Sequence, residues 1–286
     1  MDFDFRAHKE DIPINGLSSN IIVLIIGLIG MFILPTVVAV GVLLFLPSDQ
    51  LESNIDFWSY IAQLLAYGIY VIFLFLFIGK ERIKRILEGF ISGRNIKTAI
   101  IFALFAYLGS IFINMLVTMI FGAPDSNANQ DSLNSSFLTN PGLVVLLAVV
   151  FAPIVEELVF RYSIFRPLAK KNRIVAYLVT MLGFAGIHFI SSVTVLMEGI
   201  NAGENKEAIA LFLEDLKTLP VYLVGAFVLT FAYDINGNIA TSILTHAFYN
   251  LSQVILMFIS IYLLPETVES FSFIDTFSKL IELFVV

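Results

Sequence analysis

The chain has 286 residues, of which 58% are hydrophobic and 14% charged, whereas soluble globular chains average about 45–50% and about 25%. The net charge is −7, and no stretch of the sequence is basic enough to suggest a nucleic-acid-binding protein. There is no cysteine, which excludes disulfides, thiol nucleophiles and cysteine-ligated zinc. The composition therefore predicts an integral membrane protein whose main partner is the lipid bilayer.

Seven apolar segments follow one another along the chain, and most are long enough to cross a bilayer, which takes about 20 residues. They are residues 21–46, 57–78, 98–122, 141–165, 174–197, 219–233 and 239–264. Residues 271–286 carry a polar stripe of Asp275, Lys279 and Glu282, which is typical of an interfacial helix or a buried half-span. The sequence therefore predicts an all-α, polytopic transmembrane helical bundle of seven or eight membrane helices, forming one membrane domain over residues 1–286.

The positive charges predict the orientation of this bundle. Thirteen of the 16 lysines and arginines lie at segment ends that a seven-span arrangement places on the same side. Because lysine and arginine are enriched in cytoplasmic loops, we expect the N-terminus, with its polar residues 1–20, to be cytoplasmic. The absence of cysteine and a composition that leans toward Ile, Asn, Phe and Lys favour the plasma membrane of a low-GC bacterium.

The polar residues inside the predicted spans are few and lie close together. Ionisable groups in a membrane cost at least about 2.5 kcal/mol each on insertion scales, so they are rare and usually functional. They occur in the fourth, fifth and seventh segments, together with an aromatic and an amide residue one helical turn away. These residues are Glu156, Glu157 and Arg161 in the fourth segment, Phe184 and His188 in the fifth, and His246 and Asn250 in the seventh.

The spacing in the fourth segment separates its two carboxylates. Residues four apart share a helix face, so Glu157 and Arg161 are predicted to form a structural ion pair. Glu156 points about 100° away and has no cation of its own, which suits a general base. Pro153, one turn earlier, removes a backbone donor and is expected to loosen the helix.

The other two segments supply partners for such a base. Glu156 and His188 can hold and deprotonate a water, and Phe184 lies one turn before His188, where it can pack on the imidazole. His246 and Asn250 share a helix face, so both can donate to a developing oxyanion. A base, a water-positioning group and an oxyanion site are the minimum for hydrolysis of a peptide bond.

These residues form the patterns EExxxR, FxxxH and HxxxN, in that order, on successive polar segments. In this respect the chain resembles the CPBP membrane proteases, which include the type II CAAX prenyl endopeptidases and the bacterial Abi proteins linked to bacteriocin processing and self-immunity. The resemblance covers about residues 97–264. It implies a membrane endopeptidase in which Glu156 and His188 activate water, while His246 and Asn250 stabilise the oxyanion.

The expected substrate is a hydrophobic, lipidated or membrane-embedded peptide, cleaved near the cytoplasmic face. Other intramembrane proteases are excluded, because the sequence has no HExxH motif, no Gly-x-Ser-x-Gly motif and no pair of aspartyl motifs. A metal-free mechanism is favoured. Zinc is the alternative, because Glu156, His188 and His246 would make a His2Glu ligand set.

Two non-proteolytic functions are alternatives. The first is a non-catalytic immunity or scaffold protein that binds a peptide in the same pocket. The second is a small-solute or proton transporter that uses the intramembrane Glu and His residues as a relay. The absence of a clear internal repeat counts against the transporter.

Overall fold

The structure is a computed structural model that describes residues 16–45, 55–124 and 127–263, and all regular elements within these ranges are helices. We number them in chain order, treating residues 141–169 as one continuous helix. They are α1 (Gly16–Phe32), α2 (Leu34–Phe45), α3 (Ile55–Ile78), α4 (Lys80–Ile91), α5 (Gly93–Phe121), α6 (Ala128–Thr139), α7 (Pro141–Ala169), α8 (Arg173–Ile187), α9 (Ile190–Ala202), α10 (Asn205–Leu216), α11 (Leu219–Asn236) and α12 (Ile239–Leu263). The predicted C-terminal segment 271–286 and most of the polar N-terminus lie outside the described residues.

Several of these helices are long and apolar enough to cross a membrane. Five stretches of the described residues meet this condition: Leu24–Val42, Gly93–Phe121, Pro141–Ala169, Asn205–Asn236 and Ile239–Ile261. The pair α8 and α9 makes a sixth if its two helices, bent by 54°, count as one span, and α3 adds a shorter apolar stretch, Phe57–Phe73. The all-helical, multi-spanning fold is thus confirmed with five or six candidate spans, while the count of seven or eight and the orientation stay predictions.

The core of the bundle is built around α7. Val155, Val159 and Phe165 on this helix are fully buried, and α7 packs against α1, α3, α8 and α12. The outer helices instead expose large apolar side chains, such as Phe105 and Met119 on α5, as expected of a surface that faces lipid. The polar residues of α7 are therefore enclosed by protein.

Helix α7 departs from regular α-helical hydrogen bonding on both sides of its carboxylates. Residues Leu146–Phe151 and Leu158–Phe165 are π-helical, and the turn between them, Ala152–Glu157, is α-helical. The Ala152 N–H donates to the Leu147 carbonyl, and Pro153 has no N–H. The Ala148 carbonyl would accept from the N–H of residue 152 in an α-helix and from that of residue 153 in a π-helix. It therefore receives neither of these backbone hydrogen bonds. The predicted loosening at Pro153 takes this form.

A second irregularity separates α8 from α9. The N–H groups of His188 and Phe189 turn back to the carbonyls of Ala185 and Gly186, each three residues earlier, at 3.1 Å. The Phe184 carbonyl, four residues before His188, therefore loses its usual α-helical donor. The single span predicted over residues 174–197 is in fact two helices, and His188 lies at the bend.

Candidate active site

Glu157 is the centre of a fully buried polar network. Arg161 donates from Nη1 to Glu157 Oε1 at 3.0 Å, and both side chains have 0% exposure. Arg161 also donates from Nη2 to the Ala226 carbonyl at 3.0 Å, and the Ser242 hydroxyl donates to Glu157 Oε2. The predicted ion pair is confirmed. The charge of each partner is compensated inside the protein, and a buried ion pair requires such compensation.

His246 lies between the two carboxylates. Its Nδ1 is 3.0 Å from Glu157 Oε1, and its Nε2 is 3.9 Å from Glu156 Oε2. An ionised carboxylate can only accept a hydrogen bond, so the proton on Nδ1 points to Glu157. The Glu157 network therefore fixes the imidazole ring with its Nε2 toward Glu156.

Glu156 is held much less firmly than its neighbour. Its Oε2 atom is buried and has no hydrogen-bond partner among the described residues, although most buried polar atoms in proteins have one. The side chain is 12% exposed. The structure thus presents an acceptor oxygen that is enclosed, adjacent to an imidazole and not committed to any protein donor, as a general base requires.

Phe184 connects the three motifs. The Arg161 guanidinium carbon lies 4.4 Å from the centre of its ring. The His188 and His246 rings lie 5.0 Å and 5.7 Å from it, centre to centre. The predicted packing of Phe184 on His188 is confirmed, and the two histidines, 58 residues apart in the sequence, contact the same aromatic ring.

His188 and Asn250 are each anchored by a backbone carbonyl that an irregular helix leaves free. His188 Nδ1 is 2.9 Å from the Phe184 carbonyl, so Nδ1 carries the proton and Nε2 is left as an acceptor. Asn250 Nδ2 donates to the Ala148 carbonyl at 2.8 Å, and the amide keeps a second N–H. No hydrogen bond between described residues joins His188 directly to Glu156, so their joint action on water stays a prediction.

Two neighbours of the motifs were not singled out from the sequence. Ser242 is four residues before His246, so its place on the same helix face was readable from the spacing. Tyr222 on α11 lies with its ring 4.5 Å from that of His188. No motif signals this contact, because only the packing of α8 against α11 brings the two residues together.

The alternative zinc ligands do not converge. Among the described residues there is no group of three or more His, Cys, Asp or Glu side chains that could hold a metal ion, so Glu156, His188 and His246 are not arranged as a ready ligand set. We therefore derive no step through a metal, and the metal-free mechanism stays a prediction.

Comparison with known proteins agrees with the sequence motifs. The model of the family described as type II CAAX prenyl endopeptidase Rce1-like matches residues 138–252, which include all three motifs. A protein of Mycoplasma capricolum subsp. capricolum described as uncharacterized is 25% identical over 226 residues, covering 74% of this chain and 60% of the relative. The chain thus spans less than two thirds of that relative's length. No solved structure matches the chain.

The family match supports a coarse assignment of activity. It points to a protease of the CAAX endopeptidase type, and with the apolar helices it indicates an integral membrane protein. Residues 138–252, which carry the motifs EExxxR, FxxxH and HxxxN, match this family model, and the match supports the resemblance to the CPBP proteases.

Proposed function

We propose that this protein is a glutamate-dependent intramembrane endopeptidase that uses Glu156 as its general base. The observation that carries the proposal is the buried Glu156 Oε2 atom, which has no hydrogen-bond partner in the described part of the chain and lies 3.9 Å from His246 Nε2. A structural carboxylate in the same position would be expected to hold a cation or a donor, as Glu157 does on the next residue. An uncommitted oxygen is suited to accept a proton from water.

In the first step, Glu156 removes a proton from a water whose oxygen attacks the scissile carbonyl carbon. His188 Nε2, which has no proton when Nδ1 donates to Phe184, accepts the second hydrogen bond of the same water and orients it. In the second step the carbon–nitrogen bond breaks. The proton held by Glu156 then passes to the leaving amine, so Glu156 ends the cycle ionised.

His246 and Asn250 stabilise the oxyanion. Because His246 Nδ1 donates to Glu157, Nε2 can donate to the oxyanion only if the imidazole is doubly protonated. The second ring proton is therefore needed at Nε2 when the oxyanion forms. Asn250 contributes the N–H that it does not give to the Ala148 carbonyl. Two donors fixed in advance are the usual form of an oxyanion site.

The surroundings of the site support the proposed substrate class. The helices that enclose it are apolar on their outer faces, so a peptide reaches Glu156 most easily from within the bilayer. We therefore propose a hydrophobic, lipidated or membrane-embedded peptide as the substrate. Under the orientation predicted from the lysines and arginines, cleavage occurs near the cytoplasmic face.

Cleavage by purified protein in nanodiscs tests the proposal. A panel of lipidated and membrane-embedded peptides is incubated with wild type, Glu156→Gln and a matched control, Glu198→Gln, in which an exposed carboxylate on α9 is replaced. We expect Glu156→Gln to lower the rate roughly 10²–10⁴-fold, and the control to cleave normally. Chelator should change nothing.

Two results would contradict this mechanism. Full cleavage by folded Glu156→Gln would remove the general base from the scheme. Loss of cleavage in chelator with recovery on added zinc would replace the metal-free mechanism with one that uses a metal.

A further inference from the structure

We propose that Tyr222 is a positioning residue for His188, and that it is itself held by Asn127 and Asn129 at the start of α6. This inference rests on the proposed function in one respect, namely that His188 orients the attacking water. Neither the family motifs nor the spacing of the sequence assigns a role to Tyr222.

The first observation is the contact between the two rings. Their centres are 4.5 Å apart and their planes are tilted by 30°, at the short end of the distances over which aromatic rings interact. The Phe184 ring is farther from His188, at 5.0 Å, and more inclined, at 46°. Tyr222 is therefore the closer and more nearly parallel of the two rings that contact the imidazole.

The second observation is the position of His188 at a helix bend. Its N–H turns back to Ala185, three residues earlier, and α9 starts only at Ile190, after a change of direction of 54°. Among the described residues the imidazole makes one hydrogen bond, from Nδ1 to the Phe184 carbonyl, which holds the ring at that edge alone. Together with Phe184, the Tyr222 ring restricts tilting of the imidazole and so limits the directions in which Nε2 can point.

The third observation is that Tyr222 is held at its hydroxyl end. Asn129 Nδ2 donates to the Tyr222 oxygen at 3.2 Å, and the hydroxyl donates to Asn127 Oδ1 at 3.4 Å. The Asn127 side chain also caps α6, because its Oδ1 accepts the Gln130 N–H at 3.0 Å. The ring is thus fixed between the imidazole and a helix N-terminus, so a rotation of Tyr222 would cost these bonds.

Three variants separate the ring from the hydroxyl. Tyr222→Leu removes the aromatic ring, and Tyr222→Phe keeps the ring and removes the hydroxyl. Tyr177→Leu removes a comparable tyrosine on α8 that contacts Phe165 and Phe227. A small misplacement of a catalytic group can cost about 10²-fold, so we expect kcat of Tyr222→Leu to fall roughly 10- to 100-fold with KM nearly unchanged. Tyr222→Phe should stay within about fivefold of wild type, and Tyr177→Leu should keep the kcat of wild type.

A spectroscopic readout makes the test independent of cleavage. The chain has three histidines, so protein labelled at histidine gives three sets of ring signals in solid-state NMR. His188 is assigned by its loss in His188→Gln. We expect the ring-current shift of the His188 carbon-bound protons to disappear in Tyr222→Leu and to persist in Tyr222→Phe and Tyr177→Leu, with Nδ1 protonated in wild type.

The outcomes separate this inference from the proposed function. Unchanged His188 signals in Tyr222→Leu would overturn it, and so would changed signals with an unchanged kcat. If wild type cleaves no peptide, the proposed function fails, yet the NMR spectra still decide whether Tyr222 holds the His188 ring. Loss of the ring-current shift together with a lower kcat supports the inference.

Discussion

Two adjacent carboxylates on α7 belong to two regions of the molecule that are built in different ways. In the first, which we call the ion-pair region, Glu157 is held by side chains: Arg161, Ser242 and His246. In the second, the reaction region, no described residue forms a hydrogen bond with Glu156 Oε2, and His188 and Asn250 are each anchored by one backbone carbonyl.

The difference shows how a firm scaffold and an available reactive group can be placed one residue apart. Side-chain partners neutralise the ion-pair region and fix its geometry, but they leave Glu157 no free oxygen. In the reaction region the backbone provides the anchors, through carbonyls left free by the π-helical turn and by the bend at His188. These side-chain bonds hold the Glu157 carboxylate in one position, and His246 extends this restraint to the reaction region, because its Nε2 lies 3.9 Å from Glu156 Oε2.

The largest effect is expected from breaking the ion-pair region. Arg161→Met leaves Glu157 ionised and buried without its cation, which typically costs about 3–5 kcal/mol. We expect the free energy of unfolding, measured by denaturant titration of the protein in detergent, to fall by this amount. Glu156→Gln should leave it nearly unchanged, since no partner of Glu156 Oε2 is lost.

The double variant Glu157→Gln/Arg161→Met sharpens this result. Removing both charges also removes the uncompensated one, so part of the lost stability should return. If Arg161→Met is as stable as wild type, Glu157 is not held as an ion in the folded protein, and the contrast between the two regions disappears.

The ion-pair region was largely predictable from the sequence, because its central contact is local. The spacing of Glu157 and Arg161 places them on one helix face, and an arginine in an apolar span needs a partner. The same spacing relates Ser242 to His246. Its contact with Glu157 could not be predicted, since it depends on how α12 packs against α7.

The reaction region was predictable only as a set of residues. The motifs identified Glu156, His188 and Asn250, but the anchors of His188 and Asn250 are carbonyl groups. Residues 174–187 and 190–197 are mainly apolar and contain no charged side chain. Hydropathy therefore predicted one span and missed the bend. It depends on side-chain polarity and contains no information about backbone hydrogen bonds.

The next largest effect is expected at Asn250. Removal of one oxyanion donor typically costs about 10²–10³-fold in kcat. Asn250→Leu should show this loss, together with a decrease in stability of roughly 1 kcal/mol from the bond to the Ala148 carbonyl. Kinetics and unfolding of the same preparation measure both. An unchanged kcat would mean that Asn250 serves the α7 backbone alone.

Pro153→Ala tests whether Asn250 is held by the Ala148 carbonyl because the proline leaves that carbonyl without a backbone donor. An alanine N–H can donate to the Ala148 carbonyl and compete with Asn250 for it. We therefore expect a decrease in kcat that is smaller than that of Asn250→Leu, with no loss of stability from a missing hydrogen bond. A rate equal to that of wild type would show that the Asn250 amide does not depend on the irregular turn.

A smaller loss of stability is expected to distinguish Ser242 from Ser252, which lies on the same helix. Ser242→Ala removes the hydroxyl that donates to Glu157 and leaves a buried carboxylate oxygen without its partner, at a cost of about 1–3 kcal/mol. Ser252→Ala, on the same helix, removes only a local bond to the Tyr249 carbonyl. Unfolding of the two variants under the same conditions should rank Ser242→Ala as the less stable, and the opposite order would show that Glu157 does not need the hydroxyl.

The smallest change in stability is expected at a contact between α8 and α11 that lies outside the ion-pair region and the reaction region. Asp234 is fully buried and accepts from Arg173 at 2.9 Å and from the Tyr177 hydroxyl at 3.0 Å. Tyr177→Phe removes one of these donors while Arg173 continues to compensate the charge, so a loss of about 0.5–1.5 kcal/mol in stability is expected. The rate of cleavage should be the same as in wild type. A clear decrease in rate without a change in stability would mean that the Asp234 cluster sets the position of α8, and with it that of His188, so that the reaction region would extend to the far end of this helix.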